Sequence, residues 1–469
     1  MHRTLLCVMA LAVAWGSPST GRAQDAELSK LREEVRQLRQ AYESRIQALE
    51  RRLQETEAKA GKAETAAAQS ASASVVAPAS GQRSAPGAFN PDISLILQGT
   101  VASSSRDPQT HRITGFAPSG GEVAPPRRGL SLAETELILS ASIDPYFRGQ
   151  LAAALTPENE LEVEEAYFQT LSLGRGFTLK GGRFLSGIGY QNEIHQHAWD
   201  FQDAPLAYKA FLGGRLNDDG LQLRWVAPTD HFIELGAEFG RGRAFPATDR
   251  NRNSVANAWT LFAHTGGDVG ASIAWRAGVS YLRAQPRERG YEDLDAAGVS
   301  VANTFSGKSS MWVLDGVLKW APNGNTSQTN FKLQGEYFRR AESGSLTYDT
   351  QSASLGTQSD TYNSRQTGWY LQGVYQFMPR WRVGYRYDQL NPGSTSIGLV
   401  SSGALAIADF PLLADNKPKR NTLMFDWSPT EFSRLRLQLA RDTSRLGEPD
   451  NQAILQYIMS LGAHGAHKF

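Results

Sequence analysis

The sequence predicts an all-β fold: a transmembrane antiparallel β-barrel of about 16 strands, preceded by an N-terminal α-helical coiled coil. Apolar and polar residues alternate with a period of two from residue 89 onward. No apolar run after the N-terminus reaches the length of a membrane-spanning helix, and the sequence ends on an aromatic residue, Phe469. A helical membrane protein is thereby excluded, whereas a barrel is not, because its strands never form long apolar runs.

The alternation separates an apolar face from a polar face in each predicted strand. In 221–225, Leu, Leu and Trp alternate with Gln and Arg, and in 381–388, Trp, Val and two Tyr alternate with Arg, Gly, Arg and Asp. A soluble barrel turns its apolar face inward, but charged side chains opposite that face favour apolar groups toward lipid and a water-filled lumen. Aromatic residues near strand ends fit the interfacial girdles of such a barrel: Trp275, Trp312, Trp320, Trp369 and Trp381.

The N-terminus, residues 1–23, has the pattern of a cleavable secretory signal. A short basic start precedes an apolar core over 5–15, and small residues precede a cut after Ala23. The single cysteine, Cys7, lies inside this signal, so the mature chain is expected to contain no thiol. That excludes cysteine nucleophiles, thiolate metal sites and disulfides.

Residues 25–60 are predicted to form a coiled coil, and 61–88 a flexible linker. The linker consists mainly of Ala, Ser, Gly and Pro and has too few large apolar groups to fold. A narrow apolar seam cannot be buried by one helix, so oligomerisation is favoured over a solvated single helix. The seam residues recur at spacings of three and four: Leu28, Leu31, Val35, Leu38, Tyr42, Ile46, Leu49 and Leu53.

The barrel itself is predicted to span 89–469. Its last strand alternates toward the terminal Phe469, the feature that outer-membrane barrels present to the barrel assembly machinery, which is therefore an expected partner together with outer-membrane lipid. Connections alternate between short and long, as periplasmic turns and outer loops do. Short turns are predicted at 144–145, 174–176, 228–230, 266–268, 322–324, 378–379 and 429–430, and long polar connections near 105–128, 190–218, 286–308, 342–364 and 392–419.

Four stretches carry a resemblance to a known family. VEEAY at 163–167 and LKGGRF at 179–184 resemble an early strand pair of the phosphate-selective porin O and P family. FNPDISLIL at 89–97 and GAHGAHKF at 462–469 are similar to a proteobacterial subgroup often labelled zinc-regulated or a TonB-dependent outer-membrane protein. The resemblance covers almost the whole mature chain. It implies an outer-membrane channel that forms a homotrimer, with a periplasmic coiled coil.

The receptor label conflicts with the predicted organisation. TonB-dependent receptors carry a plug domain of more than about a hundred residues inside a barrel of about 22 strands. Only about 65 residues separate the predicted signal from the barrel here, and they are predicted to be a helix and a linker. We therefore expect diffusion rather than energised transport.

The predicted third outer loop, 190–218, contains the first candidate site. The resemblance implies that this loop folds into the lumen and narrows it. His195 and His197 would share a face of an extended segment, and with a carboxylate they suit Zn²⁺ or a similar ion. The alternative is that these histidines only hydrogen-bond the loop to the wall. The predicted pore-constriction residues are Glu193, His195, His197, Asp200 and Asp203.

Charged residues predicted to face the lumen form the second candidate site. Acidic residues predominate in the first half of the barrel and basic residues in its last quarter, an arrangement that sets a transverse field across a narrow pore. A phosphate-selective pore needs basic residues without matching acids, and this sequence departs from that pattern. The predicted lumen charges are Lys180, Arg224, Arg276, Lys332, Arg382, Arg386, Arg434, Arg436, Glu134, Glu136, Glu234 and Glu238.

The sequence thus predicts a porin-like channel for passive diffusion of small hydrophilic solutes or ions, with no cofactor. No Ser–His spacing and no glycine-rich phosphate loop marks an enzyme. Two alternatives stay open. One is an outer-membrane protein for zinc uptake through His195 and His197. The other is a structural barrel that tethers a periplasmic partner through its coiled coil.

Overall fold

Alternating apolar and polar residues form strands along most of the chain in the computed structural model, which describes residues 91–118, 123–248 and 256–462. The predicted signal peptide, coiled coil and linker, and the terminal Phe469, lie outside the described residues. The strand segments are β1 (Asp92–Ser104), β2 (Gly129–Leu132), β3 (Thr135–Ser142), β4 (Phe147–Leu155), β5 (Leu161–Thr170), β6 (Phe177–Leu185), β7 (Asn217–Val226), β8 (Phe232–Gly240), β9 (Ala258–Val269), β10 (Ile273–Ala284), β11 (Arg289–Leu294), β12 (Ser300–Trp320), β13 (Asn330–Tyr348), β14 (Gln358–Met378), β15 (Trp381–Ile397), β16 (Lys419–Thr430), β17 (Ser433–Asp442) and β18 (Asp450–Gly462).

Helical structure among the described residues is short and confined to the connections. Helix α1 is Leu206–Leu212 and helix α2 is Gly398–Ser401. Single 3₁₀ turns occur at Pro108–Thr110, Gln196–Ala198, Pro322–Gly324, Ile407–Asp409 and Pro411–Leu413. No helix in the described ranges is both long and apolar enough to cross a membrane.

The strand segments close into a ring of sixteen antiparallel strands. Segments β2 and β3 both pair with β1, and β10 and β11 both pair with β12, so each of these two pairs forms one interrupted strand. The other segments pair with their neighbours in sequence. Strand β1 closes the ring against β18, from Ser94 opposite Gly462 to Ser104 opposite Gln452. The predicted all-β barrel of about 16 strands is therefore confirmed.

The barrel has an inverted distribution of polarity. Large aliphatic side chains on the outer face are exposed, including Leu314 at 52%, Leu371 at 47% and Leu455 at 46%. The largest fully buried side chains include Arg386 and Arg436. A soluble protein does not expose a continuous belt of leucine while burying arginine, whereas a barrel surrounded by lipid does. The fold is that of a membrane-spanning barrel.

Aromatic residues border the aliphatic belt on both sides. Trp312 and Trp320 are outward on β12 and lie about 27 Å apart along the strand at 3.4 Å per residue. At the margin of the belt marked by Trp312, the ring of Tyr281 lies 4.7 Å from that of Trp312. At the margin marked by Trp320, Trp381 stacks on Trp427 at 5.7 Å. This spacing matches an apolar band of about 25 Å. Of the predicted girdle residues, Trp312, Trp320, Trp369 and Trp381 are at least 36% exposed, and Trp275 is half-buried against His231.

Connections at one end of the barrel are short, and both described chain ends lie at this end. Most predicted short turns lie within one or two residues of their observed places, but the turn predicted at 266–268 is wrong. These residues continue β9 to Val269, and the hairpin turns at 270–272. Small residues fit here because a Cβ on Gly266 would lie 2.6 Å from the carbonyl oxygen of Trp275.

The long connections at the opposite end differ from the prediction in two places. Most of 286–308 and 342–364 is strand, because β12, β13 and β14 continue well beyond the aromatic belt. Beyond the belt, the outward residues of these strands are mostly Ser, Thr, Asn and charged groups. The sequence therefore suggests loops, although the alternation of inward and outward residues persists. The connection at 241–257 was not predicted; residues 249–255 within it lie outside the described ranges.

Candidate functional site

Residues 186–216, which connect β6 to β7 and are called the inner segment below, lie inside the barrel. Their side chains contact inward residues from widely separated strands of the ring, from β3 and β5 to β15, β16 and β17. Every residue of α1 is buried. Pro205 precedes this helix, and Gly213, at φ 68°, ends it by donating its N–H to the carbonyl of Tyr208.

The first part of the inner segment brings basic groups to the acidic wall formed by β3 and β5. His195 Nε2 lies 3.0 Å from Glu165 Oε2, and its Nδ1 lies 3.3 Å from Glu136 Oε2 and 3.4 Å from Glu164 Oε2. His197 Nδ1 hydrogen-bonds Glu136 Oε2 at 3.1 Å. Burial opposes the imidazolium of His195, but these carboxylates outweigh burial and hold the pKa of His195 well above its usual value. Arg215, at the far end of the segment, bridges Glu164 and Glu134.

The middle of the inner segment brings acidic groups to the basic wall of the last strands. Asp200 accepts hydrogen bonds from Lys332 at 2.9 Å and Arg382 at 3.0 Å. Asp203 pairs with Arg386 at 3.0 Å, with Lys209 at 2.7 Å, and with Arg420.

Both aspartates stay ionised although they are buried. Burial raises the pKa of Asp203, but Arg420, Lys209 and Arg386 hold the pKa of this carboxyl well below its usual range. The inner segment therefore complements the charge of each wall it faces. The transverse field predicted from the walls alone is largely neutralised where the segment crosses.

Two glutamates fix the start of this path. Glu238 accepts the backbone N–H of Gly187 at 2.7 Å and also the hydroxyl of Ser186. Glu193 pairs with Arg224, which is also 3.3 Å from Glu234. These contacts hold the segment against β7 and β8 immediately after it leaves β6.

Apolar packing adds to these ion pairs and fills part of the lumen. Phe211 contacts the rings of Phe116 at 5.6 Å and Phe338 at 6.0 Å, and Tyr208 donates its hydroxyl to Glu336 at 2.9 Å. The lumen was expected to be water-filled, but in this region inward apolar residues pack against α1. The cluster includes Ile113, Phe116, Ile188, Leu206, Ala207, Tyr208, Phe211, Met311, Val313, Phe338, Tyr370 and Leu390.

The connections 105–118 and 398–418 meet above this cluster at the long-connection end. The N–H of Gly115 donates to the carbonyl of Leu412 at 2.7 Å, and Gln366 donates to the carbonyl of Gly115 at 2.9 Å. His111 lies in the first of these connections, where burial lowers its pKa to about 4 against the attraction of Asp442.

Side chains are more exposed at the short-turn end of the lumen. The side chains of Lys332, Arg382 and Arg434 are exposed by 21%, 22% and 25%, whereas Arg386, four residues further along β15, is fully buried. Inward basic residues lie within a few positions of most short turns around this end: Arg148, Lys180, Arg224, Arg276, Lys319, Lys332, Arg382 and Arg434. Solvent thus reaches a predominantly basic vestibule.

The structure places all twelve predicted lumen charges on inward positions, and ten of them touch the inner segment directly. Lys180 instead lies 4.4 Å from the ring of Tyr167, and Glu234 pairs with His264 at 2.8 Å. All five predicted constriction residues bind the wall. Sequence reasoning missed Glu165, Arg215 and Arg420. The parity of β16 could have found Arg420, which the prediction assigned to the edge of a loop.

No family model matches the sequence. An Aquifex aeolicus protein, described as an uncharacterized protein, is 32% identical over 405 residues, which cover 81% of this chain and 80% of that protein. The chain belongs to the same family as this Aquifex aeolicus protein.

Solved structures with a similar fold have low sequence identity. A loop L8 deletion mutant of OmpT, an outer membrane protein of Vibrio cholerae, matches with a TM-score of 0.49 at 10% identity, covering 79% of this chain and 99% of that chain. The outer membrane channel DcaP of Acinetobacter baumannii matches with a TM-score of 0.46 at 11% identity, covering 79% and 97%.

Proposed function

We propose that this chain is a porin-like channel of the outer membrane, through which small hydrophilic solutes and ions pass by diffusion. The observation that carries the proposal is the closed membrane-spanning barrel whose inner surface is charged and, at the short-turn end, exposed to solvent. The inner segment narrows the passage, because ion pairs on opposite walls, Glu193 with Arg224 of β7 and Asp200 with Arg382 of β15, hold it across the lumen. The short-turn end, where β1 begins and β18 ends, faces the periplasm.

The charge of the vestibule adds a preference for anions. Eight inward basic residues surround it, whereas the inward or inner-segment acids at the same level are fewer: Asp92, Glu193, Asp200, Glu234, Asp268 and Asp426. A positive excess raises the local concentration of anions, and its effect weakens as salt screens it. Because several of these basic residues pair with acidic groups, the vestibule favours a general preference for anions over a dedicated phosphate site.

Liposome swelling tests the channel function. Liposomes containing the folded protein should swell in isotonic solutions of small sugars, and swell faster with small organic anions than with cations of equal size. The variant Lys332→Gln with Arg382→Gln should reduce the anion preference, and Arg339→Gln on the outer face should not. Liposomes that stay closed to every solute at high protein loading would refute the channel.

A second candidate function, a tethering barrel, is favoured by the apolar cluster around α1. That cluster packs inward residues of β12, β13 and β15 against the inner segment and occupies part of the lumen. In this case the predicted coiled coil binds a periplasmic partner. Deletion of 25–60 discriminates: a channel should keep its permeability, whereas a tether should be closed to solutes with or without 25–60 and should lose its periplasmic partner on deletion.

We also propose a homotrimer, on the basis of the apolar seam predicted at 25–60. Light scattering of the purified protein in detergent should give three chains per particle. The same deletion of 25–60 should weaken the trimer, and monomers at all concentrations of the intact chain would contradict the proposal.

A further inference from the structure

The cluster where the inner segment meets β3 and β5 has a geometry that hydrogen bonding alone does not explain. One nitrogen of His195 and one oxygen each of Glu136 and Glu164 lie within 4.8 Å of one another. The Nδ1 atom points between the two carboxylates, at 3.3 and 3.4 Å, longer than a good charge-assisted hydrogen bond. Neither His195 Nδ1 nor Glu136 Oε1 nor Glu164 Oε2 has a hydrogen-bond partner among the described residues, although all three are buried.

We propose that this cluster is a binding site for a divalent transition-metal ion, with His195, Glu136 and Glu164 as ligands. An ion bound at about 2.1 Å in tetrahedral geometry separates its ligand atoms by about 3.4 Å. The two Nδ1 to carboxylate distances match that separation. The three ligands come from β3, β5 and the inner segment, so the ion joins the segment to the wall.

Neighbouring residues supply what a metal site requires around its ligands. Histidine ligands almost always donate their second ring N–H to a carboxylate or carbonyl, and His195 Nε2 lies 3.0 Å from Glu165 Oε2. His197 stacks on His195 with ring centres 5.8 Å apart and hydrogen-bonds Glu136, so it orients this carboxylate. The side chain of His195 is 16% exposed, which leaves a route from the lumen.

Charge and ligand chemistry narrow the class of ion. Glu134, Glu136, Glu164 and Glu165 are all buried within the cluster, and Arg215 is the guanidinium that contacts two of them. A divalent ion, which would displace the proton of His195, would offset the remaining negative charge. An imidazole with two carboxylates suits Zn²⁺, Mn²⁺ or Fe²⁺, whereas Ca²⁺ and Mg²⁺ prefer all-oxygen sites.

Zinc titration of the folded full chain in detergent, after chelator treatment, tests this site without any transport measurement. Calorimetry and metal analysis should give one Zn²⁺ per chain, with no competition from millimolar Mg²⁺ or Ca²⁺. The variants His195→Ala and Glu164→Gln should weaken binding at least a hundredfold, and Glu165→Gln about 10-fold to 100-fold. The matched control His231→Ala, in an exposed turn, should bind as the wild type does.

Two outcomes would overturn the metal site. Wild-type protein that binds no stoichiometric Zn²⁺, Mn²⁺ or Fe²⁺ would leave the cluster as an ion-paired histidine. Zinc binding that persists unchanged in Glu164→Gln would place the ion elsewhere. Heat-modifiable migration on gels verifies that each variant is folded, and the wild-type result is decisive even where a variant fails to fold.

A separate surface on the outer face carries a second proposal, which rests on the proposed outer-membrane location. Arg283, Lys308, Arg339 and Arg365 project outward from four neighbouring strands, beside and beyond Trp312 at the long-connection end. None of the four forms an ion pair or side-chain hydrogen bond within the described ranges. Basic residues at this level of a membrane barrel meet lipid headgroups.

We infer that this patch binds the phosphate groups of an anionic glycolipid in the outer leaflet. A groove of about 620 Å³ runs between Arg283, Lys308 and Arg365 and is lined by hydroxyl side chains such as Ser310 and Ser394. Among the described residues that line the groove, Glu342 is the carboxylate, and it forms an ion pair with Arg289 at 2.8 Å. Cations and hydroxyl donors together suit phosphate on a sugar, and an apolar belt for acyl chains lies beside them.

Binding of lipid A to the folded protein in detergent tests the patch. Native mass spectrometry should show lipid A retained, dephosphorylated lipid A retained at least tenfold less, and Lys308→Gln with Arg365→Gln equally impaired. The control Arg175→Gln with Arg380→Gln, at the short-turn end, should retain lipid A. Equal retention without phosphates would overturn the proposal, as would equal binding of inorganic phosphate alone. A protein that conducts but does not retain lipid A would refute the patch and leave the channel intact.

Discussion

Asp203 shows how single residues hold the inner segment in place. Its carboxylate faces Arg386, Arg420 and Lys209, all of them buried. A buried charge is costly unless it is paired, so each of these cations depends on the carboxylate between them. The same logic applies at Asp200, which lies between Lys332 and Arg382.

Replacement of Asp203 by Asn should release the inner segment. Three buried cations lose their shared counter-charge, which costs about 3–5 kcal/mol. Trypsin should then cleave after Lys209 at least tenfold faster than in the wild type, measured on folded protein in detergent. The exposed-turn variant Asp230→Asn should cleave at the wild-type rate. A wild-type cleavage rate in Asp203→Asn would show that the ion pairs do not hold the segment.

Acid should loosen the connection that carries His111. The ordinary pKa of histidine is about 6.5, and burial lowers that of His111 to about 4. Above pH 6.5 the group is neutral whether the connection is folded or open, so it has no effect. As pH falls from 6.5 toward 4, the open form binds the proton first, and the folded form loses at most about 3 kcal/mol. Hydrogen exchange of 105–118 should rise over this range, and His111→Asn should lose that dependence.

At the residue scale, the sequence predicts whether a strand side chain faces the lumen or the lipid, but it does not predict which other side chain it contacts. The period of two assigned Arg382 and Glu136 to the lumen because outward and inward residues alternate strictly in a pleated strand. Nothing in that period specifies that Glu136 meets His195, 59 positions away, because the path of the inner segment depends on packing inside the barrel. Pairings across the lumen therefore required the structure.

Helix α1 is the element that seals the inner segment to the wall. Its seven residues are too few to be stable alone, so its stability comes from packing against Phe338 and Phe116. The sequence prediction treated 190–218 as a loop, because a helix of this length carries no period that stands out from its surroundings.

Truncation of Phe211 to Ala should destabilise this element by about 3–5 kcal/mol, because the ring packs between Phe116, Phe338 and the guanidinium of Arg340. Hydrogen exchange at the amides of 206–212 should accelerate by two orders of magnitude or more. The outward Phe239→Ala, a side chain that is 55% exposed, serves as a control and should leave these amides unchanged. Unchanged exchange in Phe211→Ala would mean that the ion pairs alone hold the helix.

The outward face of each strand should tolerate charge only away from the apolar belt. Leu437, in the middle of β17, is 41% exposed toward lipid, and Leu437→Arg should lower the free energy of unfolding by about 2–4 kcal/mol. Denaturant titration in lipid vesicles, followed by tryptophan fluorescence, measures this loss. Leu446→Arg, in the connection after β17, should change stability little. Equal effects at the two positions would contradict a lipid-facing belt on β17.

At the scale of the whole molecule, the barrel was predictable because its rules are simple and repeated. Alternation, turn residues and connection lengths recur in every strand, so errors at 286–308 and 342–364 did not change the strand number. The contents of the lumen were not predictable in the same way. They depend on one segment that folds back inside, brings opposite charges to opposite walls and adds an apolar cluster.

Single-channel recording in planar bilayers tests the central claim most directly, that this barrel conducts solutes past the inner segment. Purified folded protein should insert and give stepwise increases in current, with a reversal potential in a salt gradient that indicates anion preference. Asp203→Asn should give larger or noisier steps, because its inner segment is less firmly held. Bilayers that remain closed at high protein loading, for both the wild type and Asp203→Asn, would contradict the account.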